Sequence, residues 1–514
     1  VVEQTAFGEW QVTRKSGAQV RVPRRATLNR RIGGLFPTDF DPARWGIPAS
    51  MLDSIDPIAV WNLVSAVDAF VSAGFSPAEL LRVVHPATVA STQGTGFGGM
   101  RSMHKLFVDR FLGEEYPQDI LQETLPNVVA AHTMQSYVGG YGSMINPVGA
   151  CATAAVSIEE GVDKIKAGKA DFVVAGAIDD IQVESIVGFG AMNATANSNE
   201  LLARGISSRF VSRANDRRRG GFVEAQGGGT VLLTRGSVAL EMGLPVLAVV
   251  AHAQTFSDGA HTSIPAPGLG ALAVARGGRD SVIARNLAEL GVGIDDVAFV
   301  SKHDTSTNAN DPNESDLHTR VGMALGRTPG NPLLVISQKT LTGHAKGGAC
   351  VFQVGGIIDV FRTGLIPANV ALDCVDDAME QYGPLVWLRS PLNLSSRGPV
   401  RAAFATSLGF GHVSGFLALV NPAAFEAIVE REVGREALDA WRAASDRRLR
   451  NGQRHIEMGM LGHAPLFTSV EGRRLPDDPA AGVAGDAHEV EAAILLDPNA
   501  RLGEDGFYHL PEGK

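Results

Sequence analysis

A helix followed at once by a buried strand, within residues 146–176, constrains the fold of this chain most strongly. After Cys151, apolar residues recur on one helical face: Ala155, Ile158, Val162 and Ile165. Gly168 can end this helix, and residues 171–176 are apolar enough for a strand that is buried on both faces. We therefore predict an alternating α/β segment in which Cys151 lies on a turn at the N-terminal end of a helix.

A second series of strands and helices is predicted beyond a seam near residues 234–245. Its strands fall at residues 246–252, 297–301, 333–337, 402–407 and 416–420, with helices around 280–290 and from about residue 346. Two successive α/β halves of similar size suggest a duplication, although the sequence shows no clear repeat. The predicted division is an irregular segment 1–50, an N-terminal half 51–240, a C-terminal half 241–422 and a partly helical extension 423–514 that contacts neighbouring protein.

The balance of charges limits the class of partner. The 514 residues include 45 basic and 55 acidic side chains, and the net charge of −10 argues weakly against a nucleic-acid partner. Arg213 and residues 217–219 could form a local basic patch, although such a run is more often a solvated loop. We expect no nucleic-acid partner.

Three widely spaced cysteines, Cys151, Cys350 and Cys374, form neither a disulfide framework nor a zinc-binding pattern. No signal peptide, transit peptide or long uninterrupted apolar helix is recognisable, so we expect a cytoplasmic location and no membrane span. The first residue is Val rather than Met, and we expect the chain to be a piece of a longer protein or a processed product.

Cys151 has the sequence surroundings of a nucleophile. Residues 149–154, Gly-Ala-Cys-Ala-Thr-Ala, combine a predicted helix start with small neighbours that leave room beside the sulfur. A thiol reacts as its thiolate, and the N-terminus of a helix favours that anion. The alternative is an inert cysteine at a packing site for small residues, and this motif alone does not decide between the two.

Two histidine motifs follow predicted strands of the second half. Residues 301–307, Ser-Lys-His-Asp-Thr-Ser-Thr, contain His303 and hydroxyls that could bind a polar, extended ligand arm or simply cap a helix. Residues 339–348 place His344 in a comparable strand-to-helix loop. Because ligands gather at the carboxyl ends of strands in α/β sheets, we expect Cys151, His303 and His344 to share one site.

Residues 94–99 match the pattern GxGxxG of dinucleotide-binding loops, with Glu114 and Glu115 at a plausible distance. The match lacks a clear βαβ unit, so we favour a tight loop near the active site over a nucleotide site. The patterns HExxH, CxxC and GxxxxGK[ST] do not occur, which leaves metal and nucleotide chemistry without support.

These motifs and several further segments resemble the Cys-His-His ketoacyl synthases of the thiolase superfamily. The segments are residues 40–48, 94–99, 146–154, 219–224 and 407–411, within about residues 20–422. The likeness is greatest to the ketoacyl synthase region of type I fatty acid synthases, as in the fungal α subunit and the fused bacterial megasynthases. It implies an α/β fold of the duplicated thiolase type with layers αβαβα, a homodimer within a larger synthase, and an active site between the halves.

The resemblance also implies residue roles. Cys151 would take the acyl chain from the 4′-phosphopantetheine of acyl carrier protein, while His303 and His344 would serve decarboxylation of malonyl-carrier and stabilise the enolate. The carbon nucleophile would attack the Cys151 thioester, and the substrates would be acyl and malonyl thioesters of the carrier or CoA, with no bound cofactor or metal. The resemblance further implies that Lys339 and Glu314 orient the histidines, or that their role is purely structural. Phe410 would act as a gate, and the backbone N–H groups of Cys151 and Phe410 would form the oxyanion hole. Thr305 and Thr307 would contact the pantetheine arm.

The sequence departs from the family pattern at one loop, and several other functions remain open. Residues 412–415, His-Val-Ser-Gly, replace the Gly-Thr-Asn of many stand-alone synthases. A polyketide-type synthase, a thiolase, a cysteine hydrolase and a scaffold of the chain-length-factor type are the competing interpretations. Thiolases need a second catalytic cysteine, for which Cys350 in a helix-like stretch is a poor candidate, and the two histidines with Cys151 favour condensation.

Overall fold

Two β-sheets with helices between and outside them form the core of the chain. The computed structural model describes residues 2–6, 9–13, 15–18, 28–109, 117–259, 268–470 and 487–508. The described strands are β1 Val2–Ala6, β2 Glu9–Val12, β3 Val89–Ser91, β4 Phe172–Asp179, β5 Gly227–Thr234, β6 Val249–Ser257, β7 Val297–Ser301, β8 Leu333–Ile336, β9 Leu365–Ile366, β10 Leu385–Trp387, β11 Leu392–Asn393, β12 Ala402–Gly409 and β13 Val413–Val420.

The described α-helices are α1 Ala49–Ser54, α2 Pro57–Ser72, α3 Pro77–Val83, α4 Met100–His104, α5 Ile120–Glu123, α6 Pro126–Thr133, α7 Thr153–Lys166, α8 Val183–Ala191, α9 Ser198–Ala203, α10 Gly236–Met242, α11 Val282–Glu289, α12 Asn310–Leu325, α13 Lys339–Thr342, α14 Ala349–Thr363, α15 Ala423–Glu432, α16 Arg435–Met460 and α17 Ala487–Leu496. Short 3₁₀ turns occupy Pro42–Trp45, Pro86–Thr88, Ala150–Ala152, Ser208–Phe210, Gly270–Ala275, Gly278–Asp280, Ile294–Asp296, Lys346–Gly348, Asp377–Met379 and Ser395–Arg397, and π-helical turns occupy Lys105–Asp109 and Met134–Val138.

Both sheets mix parallel and antiparallel strands. In the N-terminal sheet, β4 lies between β3, to which it is parallel, and β5, to which it is antiparallel. The C-terminal sheet has the order β10-β8-β7-β12-β13-β6, with parallel pairing from β10 to β12 and antiparallel pairing beyond. Because β8, β7 and β12 are parallel, the loops that follow them leave the same edge of the sheet.

Strand residues alternate between two faces, and this alternation builds five layers. Alternate β4 residues belong to two separate apolar cores: Phe172, Val174 and Ile178 pack with α2, and Val173, Ala175 and Ala177 pack with α7 and α14. In β12 the residues divide likewise: Ala403 and Ala405 face α7 and α14, and Ala402 and Phe404 pack with α11 and α12. The layers are therefore α2, the N-terminal sheet, α7 with α14, the C-terminal sheet, and α11 with α12, which is the predicted αβαβα order.

The predicted elements are present, and their ends differ where strand pairing overrides the apolar pattern. β7 has the predicted bounds, whereas β4 continues to Asp179 because it pairs with β5 along its whole length, as far as Gly227. β13 begins at Val413 because a tight loop joins it to β12, with Gly409 paired to Val413. The division of the chain at residues 50, 240 and 422 stays a prediction.

The described part of the C-terminal extension packs on the N-terminal half of the same chain. Trp441 of α16 is buried, and the guanidinium of Arg448 in the same helix donates to the carbonyl of Gly74 at 3.0 Å. After α17, the backbone N–H of Leu502 donates to the carbonyl of Leu81 at 3.0 Å. The predicted contact with neighbouring protein stays a prediction, and most of the Pro- and Gly-rich stretch at 475–487 lies outside the described residues.

Within the described ranges, no single helix combines the length and apolar composition of a membrane span. Only α2 and α3 taken together reach that composition, and they meet at a bend of 63°.

Candidate active site

Cys151 lies where the sequence predicts it, at the start of a helix. It is the middle residue of the 3₁₀ turn Ala150–Ala152, which runs directly into α7. Thr153 fixes this turn, because its hydroxyl accepts from the Gly149 N–H at 3.0 Å and donates to the Ala150 carbonyl at 2.7 Å. The thiol is thereby held in the middle of the protein, with Cys151 only 7% exposed.

His303 and His344 come from neighbouring parallel strands of the other sheet. His303 follows β7, and His344 follows β8 after the short helix α13. One ligand atom from each of Cys151, His303 and His344 lies within 4.8 Å of the others, and all three residues are buried. The imidazole rings are 5.1 Å apart between centroids and nearly perpendicular, at 87°. The structure thus brings the three predicted side chains into one site between the two halves.

Lys339 determines which nitrogen of His303 carries a proton. Its ammonium group lies 3.1 Å from Nδ1 of His303 and also donates to the His303 carbonyl. An ammonium group can only donate, so Nδ1 accepts and the proton of the neutral ring is on Nε2. This arrangement leaves an Nε2–H donor at His303.

Glu314 holds the backbone of the His303 loop. Its carboxylate accepts from the N–H of His303 at 2.5 Å and of Asp304 at 2.9 Å, and from the hydroxyl of Thr406. Burial alone would raise its pKa, but the contact with His318 and the charge of Lys302 lower the pKa of Glu314 to about 2. Glu314 is therefore an ionised acceptor for the loop.

The protonation states of the three central groups follow from burial. Desolvation raises the pKa of the Cys151 thiol to about 11, although Lys339, Lys346 and a hydrogen bond from the Phe410 N–H act in the opposite direction. Desolvation, reinforced by Lys339, holds the pKa of both His303 and His344 well below the usual value. At neutral pH the resting site therefore contains a thiol and two neutral imidazoles, and the expected helix effect on Cys151 is outweighed by burial.

The same three side chains are also the group, within the described part of the chain, that is close enough to hold a metal ion. The ammonium group of Lys339 beside His303 disfavours a cation at this position. The positive charge of Lys339 instead suits a negative charge that develops at this site during a reaction.

Phe410 lies beside Cys151. It follows β12, the strand next to β7, and its backbone N–H hydrogen-bonds Cys151. Gly409 lies so close to Gly149 that a Cβ atom there would collide with the Gly149 carbonyl oxygen. The Phe410 ring contacts Phe189 at 6.0 Å between centroids.

Thr305 and Thr307 form a pair of hydroxyls between the buried histidine and the surface. Their Oγ1 atoms are 3.0 Å apart, and Thr307 also accepts from the N–H of Asn310, the first residue of α12. The helix-capping interpretation of this loop therefore applies to Thr307. Thr305 is buried and Thr307 is half-buried, so the pair leads from the interior toward the surface.

Asp179, Lys346 and Glu224 form a charged group beside the site that the sequence analysis missed. Asp179 ends β4, and its carboxylate accepts from the N–H groups of Gly96 at 3.0 Å and Gly347 at 2.7 Å. Lys346 lies 3.4 Å from Glu224. The loop 94–99 is thus bound at the active site, as predicted, and the acidic residue at the end of a buried strand was the available signal for Asp179.

The arginine-rich segment is divided between surface and interior, because Arg217 and Arg218 are exposed, as predicted for a solvated loop, whereas Arg213 and Arg219 are buried. Arg213 is buried and pairs with Asp216 at 3.0 Å and Asp373 at 2.7 Å. Arg219 is buried as well and pairs with Asp376 at 2.5 Å. These two side chains therefore form neither a basic surface patch nor a solvated loop.

Cys350 and Cys374 lie apart from this chemistry. Cys350 is fully buried in α14, and desolvation raises the pKa of its thiol to about 12. Cys374 is exposed, and all three cysteines are free thiols. The structure agrees with the prediction that Cys350 makes a poor second nucleophile.

Solved structures of ketosynthases share this fold. The ketosynthase FabY from P. aeruginosa superposes with a TM-score of 0.76 at 24% identity, covering 85% of this chain and 67% of that one. A β-ketoacyl synthase from Burkholderia phymatum STM815 gives a TM-score of 0.64 at 20% identity, covering 77% and 89%. The predicted thiolase-like α/β fold class is confirmed.

Two protein-family models match this chain and show which class of protein it is. The model of the β-ketoacyl synthase N-terminal domain matches residues 4–239, and that of the C-terminal domain matches residues 247–373. The chain belongs to the β-ketoacyl synthase family and is an enzyme of that class.

Curated relatives of this chain include subunits of fungal fatty acid synthases. The fatty acid synthase alpha subunit stcJ of Emericella nidulans is 36% identical over 95% of this chain, and the alpha subunit pigJ of Monascus ruber is 33% identical over 96%. The fatty acid synthase subunit alpha of Saccharomyces cerevisiae is 30% identical over 98%. The chain spans about 30% of the length of each of these relatives.

Proposed function

We propose that this chain is a 3-oxoacyl-[acyl-carrier-protein] synthase of fatty acid elongation. The observation that carries the proposal is the buried cluster of one thiol and two neutral imidazoles, contributed by the two halves of the fold and lying within 4.8 Å. The names of the three relatives above, which are fatty acid synthase subunits, support fatty acid synthesis as the setting.

In the first step Cys151 accepts the acyl chain. The sulfur attacks the carbonyl carbon of an acyl thioester, the carrier thiol leaves with the proton that Cys151 loses, and an acyl-enzyme remains. The N–H groups of Cys151 and Phe410 stabilise the oxyanion of the intermediate. The Phe410 N–H, which hydrogen-bonds Cys151 in the resting site, supports this role.

In the second step the malonyl thioester loses carbon dioxide. The electrons of the broken carbon–carbon bond form an enolate, whose oxygen accepts hydrogen bonds from His303 and His344. The Nε2–H of His303, set by Lys339, is a donor suited to that oxygen. The enolate carbon then attacks the Cys151 thioester, and the thiolate of Cys151 leaves as the ketoacyl product forms.

The substrates are proposed to arrive on the 4′-phosphopantetheine arm of an acyl carrier protein domain, or on CoA. Thr305 and Thr307 offer adjacent hydroxyls and are proposed to contact that arm. Glu314 and Lys339 hold His303 and are supporting residues.

We also propose that the chain acts as a homodimer within a type I fatty acid synthase in the cytoplasm. Exposed apolar side chains precede Cys151 and suit contact with a second copy: Tyr141, Met144, Ile145 and Val148. Free thiols, including the exposed Cys374, suit a reducing compartment.

Intact-protein mass spectrometry tests the proposal. The wild-type chain is incubated with a long-chain acyl-carrier thioester and then with malonyl-carrier, with Cys151→Ala as control. We expect an acyl adduct on Cys151 that malonyl-carrier discharges as ketoacyl product. Discharge to water alone would indicate a hydrolase, and a folded chain that forms no adduct would indicate a scaffold. If the ketoacyl product is extended repeatedly without reduction of its keto groups, a polyketide-type synthase would be favoured.

A further inference from the structure

A second group of buried charges, formed by Asp179, Glu224 and Lys346, lies beside Cys151 and has no part in the roles above. Asp179 and Lys346 are each 1% exposed, and Glu224 is 5% exposed. The group contains two carboxylates and one ammonium group. Such burial is costly unless the charges are paired and hydrogen-bonded, so each contact in the group constrains the local backbone.

Asp179 joins three segments of the site. Besides the N–H groups of Gly96 and Gly347, its carboxylate accepts from the Thr95 hydroxyl at 2.8 Å and the Phe97 N–H at 3.2 Å. A Cβ atom would lie 2.8 Å from this carboxylate at Gly96 and 2.7 Å at Gly347. Glycine is therefore required at both positions for the carboxylate to reach the backbone.

Lys346 and Glu224 join the turn after His344 to the segment beside it. Lys346 adopts a left-handed conformation, with φ 49°, and its ammonium group lies 3.4 Å from Glu224 and 3.5 Å from the Ala225 carbonyl. The His344 N–H donates to the Val223 carbonyl at 2.7 Å, and the Ala225 N–H donates to the His344 carbonyl at 3.0 Å. The ion pair thus fastens the same two segments that hold the His344 backbone.

We propose that Lys346 is a positioning residue of the active site, which fixes the His344 turn against Glu224 and supplies positive charge to the reacting sulfur of Cys151. This inference rests on the proposed role of Cys151 as nucleophile. Lys346 acts in two ways: its positive charge favours the thiolate of Cys151, and its ion pair with Glu224 holds the turn that follows His344.

The turn Lys346–Gly348 lies against the end of the turn that contains Cys151, since a Cβ atom at Gly347 would be 3.0 Å from Thr153. Several charged or titratable groups therefore face Cys151. Lys339 and Lys346 favour its anion and Asp179 disfavours it, while His303 and His344 are neutral. Desolvation keeps the thiol protonated at neutral pH, so over the working range the thiolate fraction increases about tenfold with each pH unit. A change in the field at the sulfur is therefore measurable as a change in reaction rate at fixed pH.

Alkylation of Cys151 by iodoacetamide measures this field without carrier or malonyl substrate. All variants carry Cys374→Ser, because Cys374 is exposed, and Cys151→Ala in the same background gives the blank. The rate at Cys151 is followed by intact-protein mass spectrometry between about pH 6.5 and 9.5, the range in which a thiol far from its pKa shows a log-linear response. Circular dichroism establishes that each variant is folded.

We expect Lys346→Met to slow alkylation about tenfold at every pH, which displaces the profile without changing its slope. Lys346→Arg keeps the charge and should remain within about threefold of the parent rate. Lys169→Met removes an exposed lysine and should leave the rate unchanged. A folded Lys346→Met variant with the parent profile would overturn the proposal.

If Lys346→Met does not fold, Lys346→Gln is the second variant, because it removes the charge while its amide N–H groups can still donate to Glu224 and to the Ala225 carbonyl. We expect the same slowing of about tenfold, and the parent rate in this folded variant would overturn the proposal. Alkylation of Cys151 does not depend on the condensation reaction. A displaced pH profile of alkylation, together with a failed acyl-discharge assay, would therefore refute the proposed function and leave the role of Lys346 intact.

Discussion

Replacing Glu314 by Gln tests whether an ionised carboxylate holds the His303 loop. The carboxylate accepts from two consecutive backbone N–H groups and from the Thr406 hydroxyl, and Asn310 donates to it at 3.3 Å. An amide nitrogen cannot accept, so Gln would place its NH₂ group against at least one pair of these donors. Since hydrogen bonds to charged groups are worth about 1.5–3 kcal/mol each, we expect Glu314→Gln to lose about 3–5 kcal/mol of unfolding free energy at pH 7.

The pH dependence gives the sharper test. The pKa of Glu314 is about 2 in the folded chain against its usual 4.5, a difference that corresponds to about 3 kcal/mol of unfolding free energy. Because the folded pKa is depressed, this stabilisation is complete above the unfolded pKa and is lost as pH falls toward 2. At pH 3 the wild type should have lost about 2 kcal/mol of it, whereas the Gln variant has none to lose.

Urea unfolding of both chains at pH 7 and pH 3, followed by tryptophan fluorescence, measures the difference between them at each pH. We expect that difference to shrink by about 2 kcal/mol on acidification, because other titrating groups are common to both chains. Glu436→Gln, at an exposed position of α16, is the matched control and should show no such change. A difference between wild type and Glu314→Gln that is the same at both pH values would refute the reasoning.

Two further substitutions separate the steps of the reaction. Lys339→Met removes the donor that keeps the proton of His303 on Nε2. We expect malonyl decarboxylation, measured as carbon dioxide release, to fall about 100-fold. An unchanged rate would contradict the argument about the His303 tautomer. Gly409→Ala would push a methyl group against the Gly149 carbonyl. We expect a loss of about 1–3 kcal/mol in thermal unfolding and slower acylation of Cys151 by acyl-carrier thioester, whereas wild-type stability would contradict the close contact.

Local patterns allowed much of the fold to be predicted from sequence. The helix after Cys151 and the strand β7 depend on the spacing of apolar residues over a few turns, and both form as expected. The placement of His303 and His344 also follows, because parallel neighbouring strands end at the same edge of a sheet. The α/β class and the approach of the two histidines thus needed no long-range information, whereas the duplicated thiolase type was implied by the resemblance to ketoacyl synthases.

The charged groups around the site could not be predicted in the same way, because their partners are distant in sequence. Asp179 accepts from Gly347, 168 residues further along the chain, and Arg219 donates to Asp376, 157 residues away. A sequence pattern gives the charge of each residue, but only the packing of the two halves decides whether that charge is buried and paired. For the same reason Arg219 was expected in a patch or a solvated loop and is instead an internal ion-pair partner.

Backbone strain is concentrated at the turns of this site, and this explains why packing has to hold them. Among the described residues, several of the non-glycine residues with positive φ adjoin site residues: Ala150, Asp304, Ser306, Lys346 and His412. A left-handed conformation costs a non-glycine residue of order 1–3 kcal/mol and persists only where its surroundings impose it. Here the carboxylate of Glu314 fixes the turn at Asp304, and Asp179 with Glu224 fixes the turn at Lys346. The buried carboxylates therefore act in the same way, because each holds a strained turn next to one of the two histidines of the site.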